Sequence, residues 1–83
     1  MNTSVKNKPV KATDLSFRNE RVFVTLEDGR ELSIPLEWFP RLRNASSEVL
    51  ESWRFIGDGI GIHWEKLDED LSIDGLLRGH PGK

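Results

Sequence analysis

Alternation of apolar and polar residues between positions 15 and 34 is the feature that most constrains the fold of this chain. The apolar members are Leu15, Phe17, Val22, Val24, Leu26, Leu32 and Ile34. A two-residue period is typical of antiparallel strands that bury one face. Turn signals interrupt it at Asn19-Glu20 and at Glu27-Asp28-Gly29. An even loop at the first turn pairs Phe17 with Val22, so the segment predicts a three-stranded meander with one apolar face.

The length of the second turn decides the register of the third strand. A two-residue Asp28-Gly29 loop would pair Val24 with Ser33 and send the two apolar sets to opposite faces. A three-residue loop pairs Val24 with Leu32 instead. It also places Gly29 at the left-handed position of a type I turn followed by a G1 bulge. We therefore expect the three-residue loop.

Two short helices are predicted after the meander. Apolar residues recur near helical spacing from about Leu36, and Pro40 must lie in the first turn because an interior proline costs about 3 kcal/mol. Ser46 precedes the sequence SEVLES and is a candidate N-cap for the second helix, with Glu48 near its positive end.

The sequence WRFIGDGIGIHW predicts a second hairpin around a two-residue Asp58-Gly59 turn. The resulting pairs are Phe55 with Ile62, Trp53 with Trp64, and Arg54 with His63. In this register His63 lies on the face opposite to the aromatic pair. Gly61 interrupts a strand and indicates a bulge or the close approach of another backbone.

The sequence DLSIDGLLRG predicts a third helix near the C-terminus. Ser72 fits its N-cap, and Leu71 and Leu76 then have the N′ and N4 spacing of a hydrophobic staple. Gly79 fits the C′ position, where a left-handed residue commonly ends a helix.

These elements predict an α+β fold. Its small antiparallel sheet consists of the three-stranded meander plus the hairpin, and two or three short helices cover one face. We expect residues 1–83 to form one domain, with an ordered core at about 10–79 and frayed ends at 1–9 and 80–83. The predicted core residues are Leu15, Phe17, Val22, Val24, Leu32, Ile34, Leu42, Phe55, Ile62, Trp64, Leu71 and Leu76.

Composition argues against several classes of protein. The chain has no cysteine, which excludes disulfides and thiolate zinc sites and favours a cytoplasmic location. No stretch approaches the roughly 18 apolar residues of a membrane span, and the N-terminus lacks the apolar region of a secretory signal, so we expect no membrane partner. Lys6, Lys8 and Lys11 make the N-terminal arm basic, but a net charge of −2 and a pI of 5.6 do not favour nucleic acid as a partner.

Three motifs carry a resemblance to a known family. They are DGR in the second turn, PLEWFPRL at the first helix and GIHWEKLDEDLSIDGLL in the second half. Over about residues 12–79 the chain resembles a family of small bacterial domains of unknown function. The resemblance implies an α+β fold on a small antiparallel sheet. It also implies a gene often placed beside that of another small protein, an arrangement similar to a toxin–antitoxin pair, and it implies no catalytic or ligand-binding residue.

His63, Asp68 and Asp70 are the candidates for chemistry. An imidazole with carboxylates suits several divalent metals and also acid–base catalysis. The spacing matches neither HExxH nor an EF-hand loop. The simpler interpretation is that the acids lie before the third helix, whose dipole stabilises each by about 0.3–1 kcal/mol. We therefore predict no catalytic residue, cofactor or metal, and a metal-dependent enzyme at these three residues is the least favoured alternative.

An interaction surface is the leading functional hypothesis. Trp and Arg are enriched at protein interfaces, and Trp38 and Phe39 stand beside Arg41 and Arg43. We predict a non-enzymatic protein-interaction module, antitoxin-like or an adaptor, whose partner is another small protein. A nucleic-acid-binding regulator is the alternative. The candidate interaction surface comprises Trp38, Phe39, Arg41, Arg43, His63, Asp68, Glu69 and Asp70.

Overall fold

The first sheet forms the predicted meander. The computed structural model describes residues 10–79. The strands of this sheet, in spatial order, are β1 (Ala12–Arg18), β2 (Arg21–Leu26) and β3 (Glu31–Pro35). Phe17 pairs with Val22 and Val24 with Leu32, which confirms both predicted registers.

Left-handed residues close both turns of the meander. Asn19 and Glu20 have φ angles of 52° and 60°, as a type I′ hairpin turn requires. Gly29 has a φ of 95°, in agreement with the predicted bulge. Arg30 donates to the Asp28 carboxylate from Nε at 2.9 Å and from its backbone N–H at 3.1 Å. These hydrogen bonds hold the pKa of Asp28 below its ordinary value and fix the turn.

The predicted first helix is divided in two. A 3-10 turn spans Leu36–Trp38, Phe39 leaves the helical region with a φ of −130°, and α1 spans Pro40–Arg43. The residue before a proline is biased away from the helical region, which explains the break. Pro40 lies in the first turn of α1, as predicted.

Serine caps begin the other two helices, as predicted. Ser46 caps α2 (Ser47–Leu50) and Ser72 caps α3 (Ile73–Leu77). Each hydroxyl accepts a hydrogen bond from the backbone N–H three residues on, at 3.2 Å and 2.9 Å respectively. Gly79 follows α3 with a φ of 80°, the left-handed conformation expected after a helix C-terminus.

The second sheet contains one strand more than the predicted hairpin. Its strands, in spatial order, are β4 (Arg54–Ile56), β5 (Gly61–Trp64) and β6 (Glu69–Ser72). Phe55 pairs with Ile62 and Arg54 with His63, which confirms this part of the predicted register. The acidic segment forms β6, where Asp70 pairs with His63. Acids are depleted in strands, so the sequence pattern does not indicate this strand.

The loop of the hairpin differs from the prediction. Four residues, 57–60, separate the paired strands instead of two. Trp53 precedes β4 and does not pair with Trp64; its ring packs edge-on against Phe55, with centroids 4.9 Å apart. Gly61 marks a close approach, because a Cβ there would lie 2.9 Å from Cγ1 of Ile56.

Trp64 joins the two sheets and α2. Its side chain is fully buried, and its indole N–H donates to the backbone oxygen of Leu50 at 3.0 Å. Its ring meets Phe17 edge-on, with centroids 6.4 Å apart. Because Phe17 lies on β1 and Leu50 ends α2, one side chain connects three elements that are distant in sequence.

Among residues 10–79, fourteen buried apolar side chains form the core around Trp64. Nine of the twelve predicted core residues are among them, while Phe17, Leu32 and Phe55 are half-buried and pack against them. The buried residues that the sequence did not predict are Ala12, Leu26, Leu36, Phe39 and Ile73.

Some predictions concern the ends of the chain. The expected fraying of residues 1–9 and 80–83 lies outside the described residues, as do Lys6 and Lys8. Within residues 10–79, no helix is long and apolar enough to cross a membrane.

The tip of the second hairpin packs on the start of β1. Gly59 is buried with a φ of 105°, and a Cβ there would lie 2.5 Å from the backbone oxygen of Ala12. Beside it, Lys11 Nζ lies 3.7 Å from Asp58 Oδ2. Only glycine satisfies both the backbone conformation and this approach.

We expect the Gly59→Ala variant to lose about 2–4 kcal/mol of unfolding free energy, because strain at a positive φ adds to the collision with Ala12. Gly29→Ala is the matched control, since its φ is also positive but nothing lies within 4 Å of the added Cβ. It should lose only about 1 kcal/mol. Urea unfolding of both variants measures the difference, and equal losses would contradict this packing.

Trp64→Phe should cost about 2–4 kcal/mol of unfolding free energy, because it leaves a cavity and removes the donor to the Leu50 carbonyl. Trp53→Phe makes the same chemical change at a half-buried site and should cost less than about 1 kcal/mol. Thermal and urea denaturation compare the two variants. A smaller loss at Trp64 than at Trp53 would count against its joining role.

Candidate functional site

A polar row crosses the outer face of the second sheet. Arg54, His63 and Asp70 are cross-strand neighbours on β4, β5 and β6. His63 Nδ1 lies 2.5 Å from Asp70 Oδ1, and its Nε2 lies 3.4 Å from Glu65 Oε1. The same Glu65 oxygen accepts a hydrogen bond from Arg54 Nη2 at 3.2 Å. We call Arg54, His63, Glu65 and Asp70 the His63 network; each of its charged groups has a partner inside it.

The geometry of the His63 network does not converge on one point. The two ring nitrogens lie on different edges of the imidazole, so Glu65 and Asp70 approach from different sides. Asp68 lies in the turn before β6, with a φ of 52°. Among residues 10–79, no group of three or more His, Cys, Asp or Glu side chains is placed to hold a metal ion. The His63 network therefore fits a cross-strand structural role better than a metal centre.

Arg41 connects the two halves of the candidate interaction surface. Its Nη1 donates to the backbone oxygen of Leu67 at 2.9 Å, and its Nε lies 3.9 Å from Glu69 Oε1. These contacts tie α1 to the turn before β6. Successive strand residues point to opposite faces, so Glu69 faces α1 while Asp70 belongs to the outer face. The surface is therefore divided between two sides of β6.

Phe39 belongs to the core rather than to the surface. It is 2% exposed, whereas its neighbour Trp38 is half-buried and packs edge-on against it, with centroids 6.4 Å apart. An interface anchor has to reach its partner. Of these two aromatic residues, Trp38 alone is available for that role.

Arg43 lies at a pocket of about 310 Å³. Its Nη2 is 3.5 Å from Oε1 of Glu20, which also lines the pocket. Apolar lining comes from Phe17, Leu36 and Leu50. The pocket thus combines apolar walls with charged groups of both signs, at the junction of β1, the 3-10 turn and α2.

The described part of the chain is acidic. Residues 10–79 contain nine Lys and Arg against fourteen Asp and Glu, a net charge of −5. Arg41 and Arg43, the candidates for phosphate contact, lie beside Glu69 and Glu20. Nucleic-acid binding depends on cations that neutralise phosphates. This charge distribution disfavours nucleic acid as a partner of the described residues.

The comparisons place the chain in a family. The family described as "Protein of unknown function (DUF2442)" matches residues 12–82. The chain belongs to the DUF2442 family. The predicted resemblance to a family of domains of unknown function is confirmed at this level.

The fold of this DUF2442 domain is similar to that of two solved structures. A protein of unknown function from Rhodospirillum rubrum ATCC 11170 is 35% identical, with 92% of this chain and 94% of that chain covered and a TM-score of 0.79. An uncharacterized protein from Chromobacterium violaceum, solved by NMR, is 27% identical, with 88% and 69% covered and a TM-score of 0.74. A search of the curated proteins finds no match.

Sequence reasoning missed two parts of the candidate site. Glu65 completes the His63 network, but it lies in a turn where no spacing rule applies. The pocket has no sequence signature, because segments far apart in the chain form its walls. Strand parity was the one useful signal, since it placed His63 opposite Arg54.

We expect the melting temperature of this DUF2442 domain to stay unchanged when Zn²⁺, Mn²⁺, Mg²⁺ or Ca²⁺ is titrated, because the ligands at His63 do not converge. An ion that binds the folded state would raise the melting temperature. Differential scanning fluorimetry of the wild type and of His63→Ala tests this. A shift in the wild type that His63→Ala abolishes would revive the metal-dependent alternative.

Proposed function

We propose that this DUF2442 domain is a non-enzymatic protein-interaction module, the antitoxin-like or adaptor half of a two-protein pair in the bacterial cytoplasm. The observation that carries the proposal is the pocket between β1 and α2. Its volume of about 310 Å³ is at the lower end of the range of ligand sites, and it suits one or two side chains of a partner.

The chemistry of the pocket supports a partner with an exposed apolar anchor. Phe17, Leu36 and Leu50 offer an apolar surface, and Ala45 leaves space between α1 and α2. A buried anchor surrounded by charged contacts is the usual energetic centre of a protein interface. The pocket is lined by none of the His63 network, so the proposed binding does not depend on that cluster.

Charge supports a basic partner. The net charge of −5 over residues 10–79 attracts a cationic protein, while the pocket itself is lined by Glu20 and Glu51 together with Arg18 and Arg43. Electrostatic complementarity raises the association rate and weakens with salt. We therefore propose a small basic protein, encoded beside this domain, that inserts an apolar side chain between those acids.

The Ala45→Arg variant should weaken capture of the neighbouring gene product by about tenfold or more, because it fills the pocket and places a cation against a basic partner. Asn44→Arg is the matched control. It adds the same side chain one residue earlier, at an exposed position outside the pocket lining. Co-expression followed by pull-down and titration calorimetry measures the effect.

Two results would contradict the proposed function. One is that the two gene products never co-purify and neither changes the stability or toxicity of the other. The second is that Ala45→Arg and Asn44→Arg weaken the complex equally, which would place the interface elsewhere. Circular dichroism of both variants verifies that the fold is retained.

A further inference from the structure

We propose that the outer face of the first sheet binds the same face of a second copy of this chain. This surface, the meander face, lies opposite to the core side of β1, β2 and β3. Arg18 also lines the pocket proposed above for the partner, whereas Asp14, Phe23 and Glu31 do not, so the Asp14→Arg variant distinguishes the two proposals.

The register arranges the meander face in three cross-strand rows. The row beside the β1–β2 turn is Arg18, Arg21 and Pro35. The middle row is Ser16, Phe23 and Ser33. The row at the opposite end is Asp14, Thr25 and Glu31. The face therefore has a cationic end, an aromatic centre and an acidic end.

Phe23 is the natural centre of an interface on this face. It is half-buried on the middle strand and stands between two serines, Ser16 and Ser33. The Arg18 guanidinium covers part of the ring, with Cζ 3.9 Å from the centroid. Aromatic side chains contribute much of the energy of protein interfaces, because they bury a large area and pair with other rings.

The cationic end is left without counter-charges in the described chain. Arg18 lies directly opposite Arg21, and like charges in this position destabilise a sheet. Arg21 donates to Ser33, from Nε to Oγ at 2.7 Å and from Nη2 to the backbone oxygen at 3.1 Å. Within residues 10–79, neither arginine forms an ion pair, and neither do Asp14 and Glu31. Acids from outside would relieve this repulsion.

A second copy supplies those acids in one orientation only. A two-fold axis that runs across the strands through Phe23 stacks the strands antiparallel and sets Arg18 over Asp14 of the second copy, and the reverse. Phe23 then faces Phe23 of the second copy, and Arg21 lies between the two acids of that copy. An axis along the strands would instead place like charges over each other, which disfavours it.

The size of the meander face sets the strength of the dimer. Three strands about 4.8 Å apart and five residues of about 3.4 Å each cover roughly 240 Å² per copy. Stable complexes bury about 800 Å² per partner. The dimer is therefore weak and concentration-dependent, and it dissociates as salt screens its ion pairs.

Charge exchange between two variants of the full chain tests the dimer. Sedimentation velocity from about 10 μM to about 1 mM should show a concentration-dependent dimer at low salt that is lost at high salt. Asp14→Arg and Arg18→Asp should each weaken self-association by about tenfold or more, because each sets like charges against each other. An equimolar mixture of the two variants should associate again, since both contacts between positions 14 and 18 then join opposite charges.

Glu48→Arg is the control for the change in net charge. It makes the same charge change as Asp14→Arg on exposed α2, away from the meander face, and should leave the dimer unchanged. The proposal is overturned if the wild type stays monomeric up to about 1 mM. It is also overturned if Glu48→Arg weakens association as much as Asp14→Arg, or if the mixture of variants does not associate.

Discussion

The hydrogen bond from the buried indole of Trp64 to the Leu50 carbonyl is the interaction on which the rest of the structure depends. A chain of this size buries only about 60% of the surface that its unfolded form exposes, so few side chains can connect its parts. Trp64 lies on β5, reaches the end of α2 and contacts Phe17 on β1. The helix terminus is thereby satisfied by a side chain of the sheet, and the four-residue α2, too short to be stable alone, is held in place.

Polar contacts hold the second sheet in addition to the packing of Trp64. Arg41 holds the turn before β6 through the Leu67 carbonyl, and the His63 network holds the outer face of the same sheet. Most of these side chains are exposed, where an individual ion pair contributes about 0–1 kcal/mol. Their main effect is to fix the register of short strands rather than to supply stability.

Features that depend on residues close together in the sequence were predicted correctly, whereas features that depend on distant residues were missed. The number of residues in each turn, together with the alternation of apolar residues, predicted the registers of β1, β2 and β3. A one-residue slip would move every side chain to the wrong face. Serine caps were predictable because the cap and its N–H lie three residues apart. Strand β6 was not predictable, since its acids disfavour strands and its pairing with β5 brings Asp70 to His63. Phe39 was predicted to lie on the surface. The break in the helix before Pro40 instead directs its side chain toward the core.

The candidate site was less predictable than the fold. The Arg54–His63 pair followed from hairpin register, whereas the pocket depends on how α2 docks on β1. That docking is set by the hydrogen bond from Trp64 to Leu50. The two residues are fourteen positions apart, so no local sequence pattern indicates their contact. The charged rows of the meander face were readable in principle, because strand parity alone places Asp14, Ser16 and Arg18 on one side.

The hydrogen bond from Arg21 to Ser33 and the presence of Pro35 on β3 affect how the protein can assemble. An unpaired strand edge is a template on which chains add without limit. Here Arg21 occupies the Ser33 carbonyl and Pro35 has no N–H, so the β3 edge offers an incomplete ladder to an incoming strand. Association through a self-complementary face is consumed once two copies meet. The β3 edge is thereby a poor template for further strands, and the dimer proposed for the meander face would close without extending the sheet.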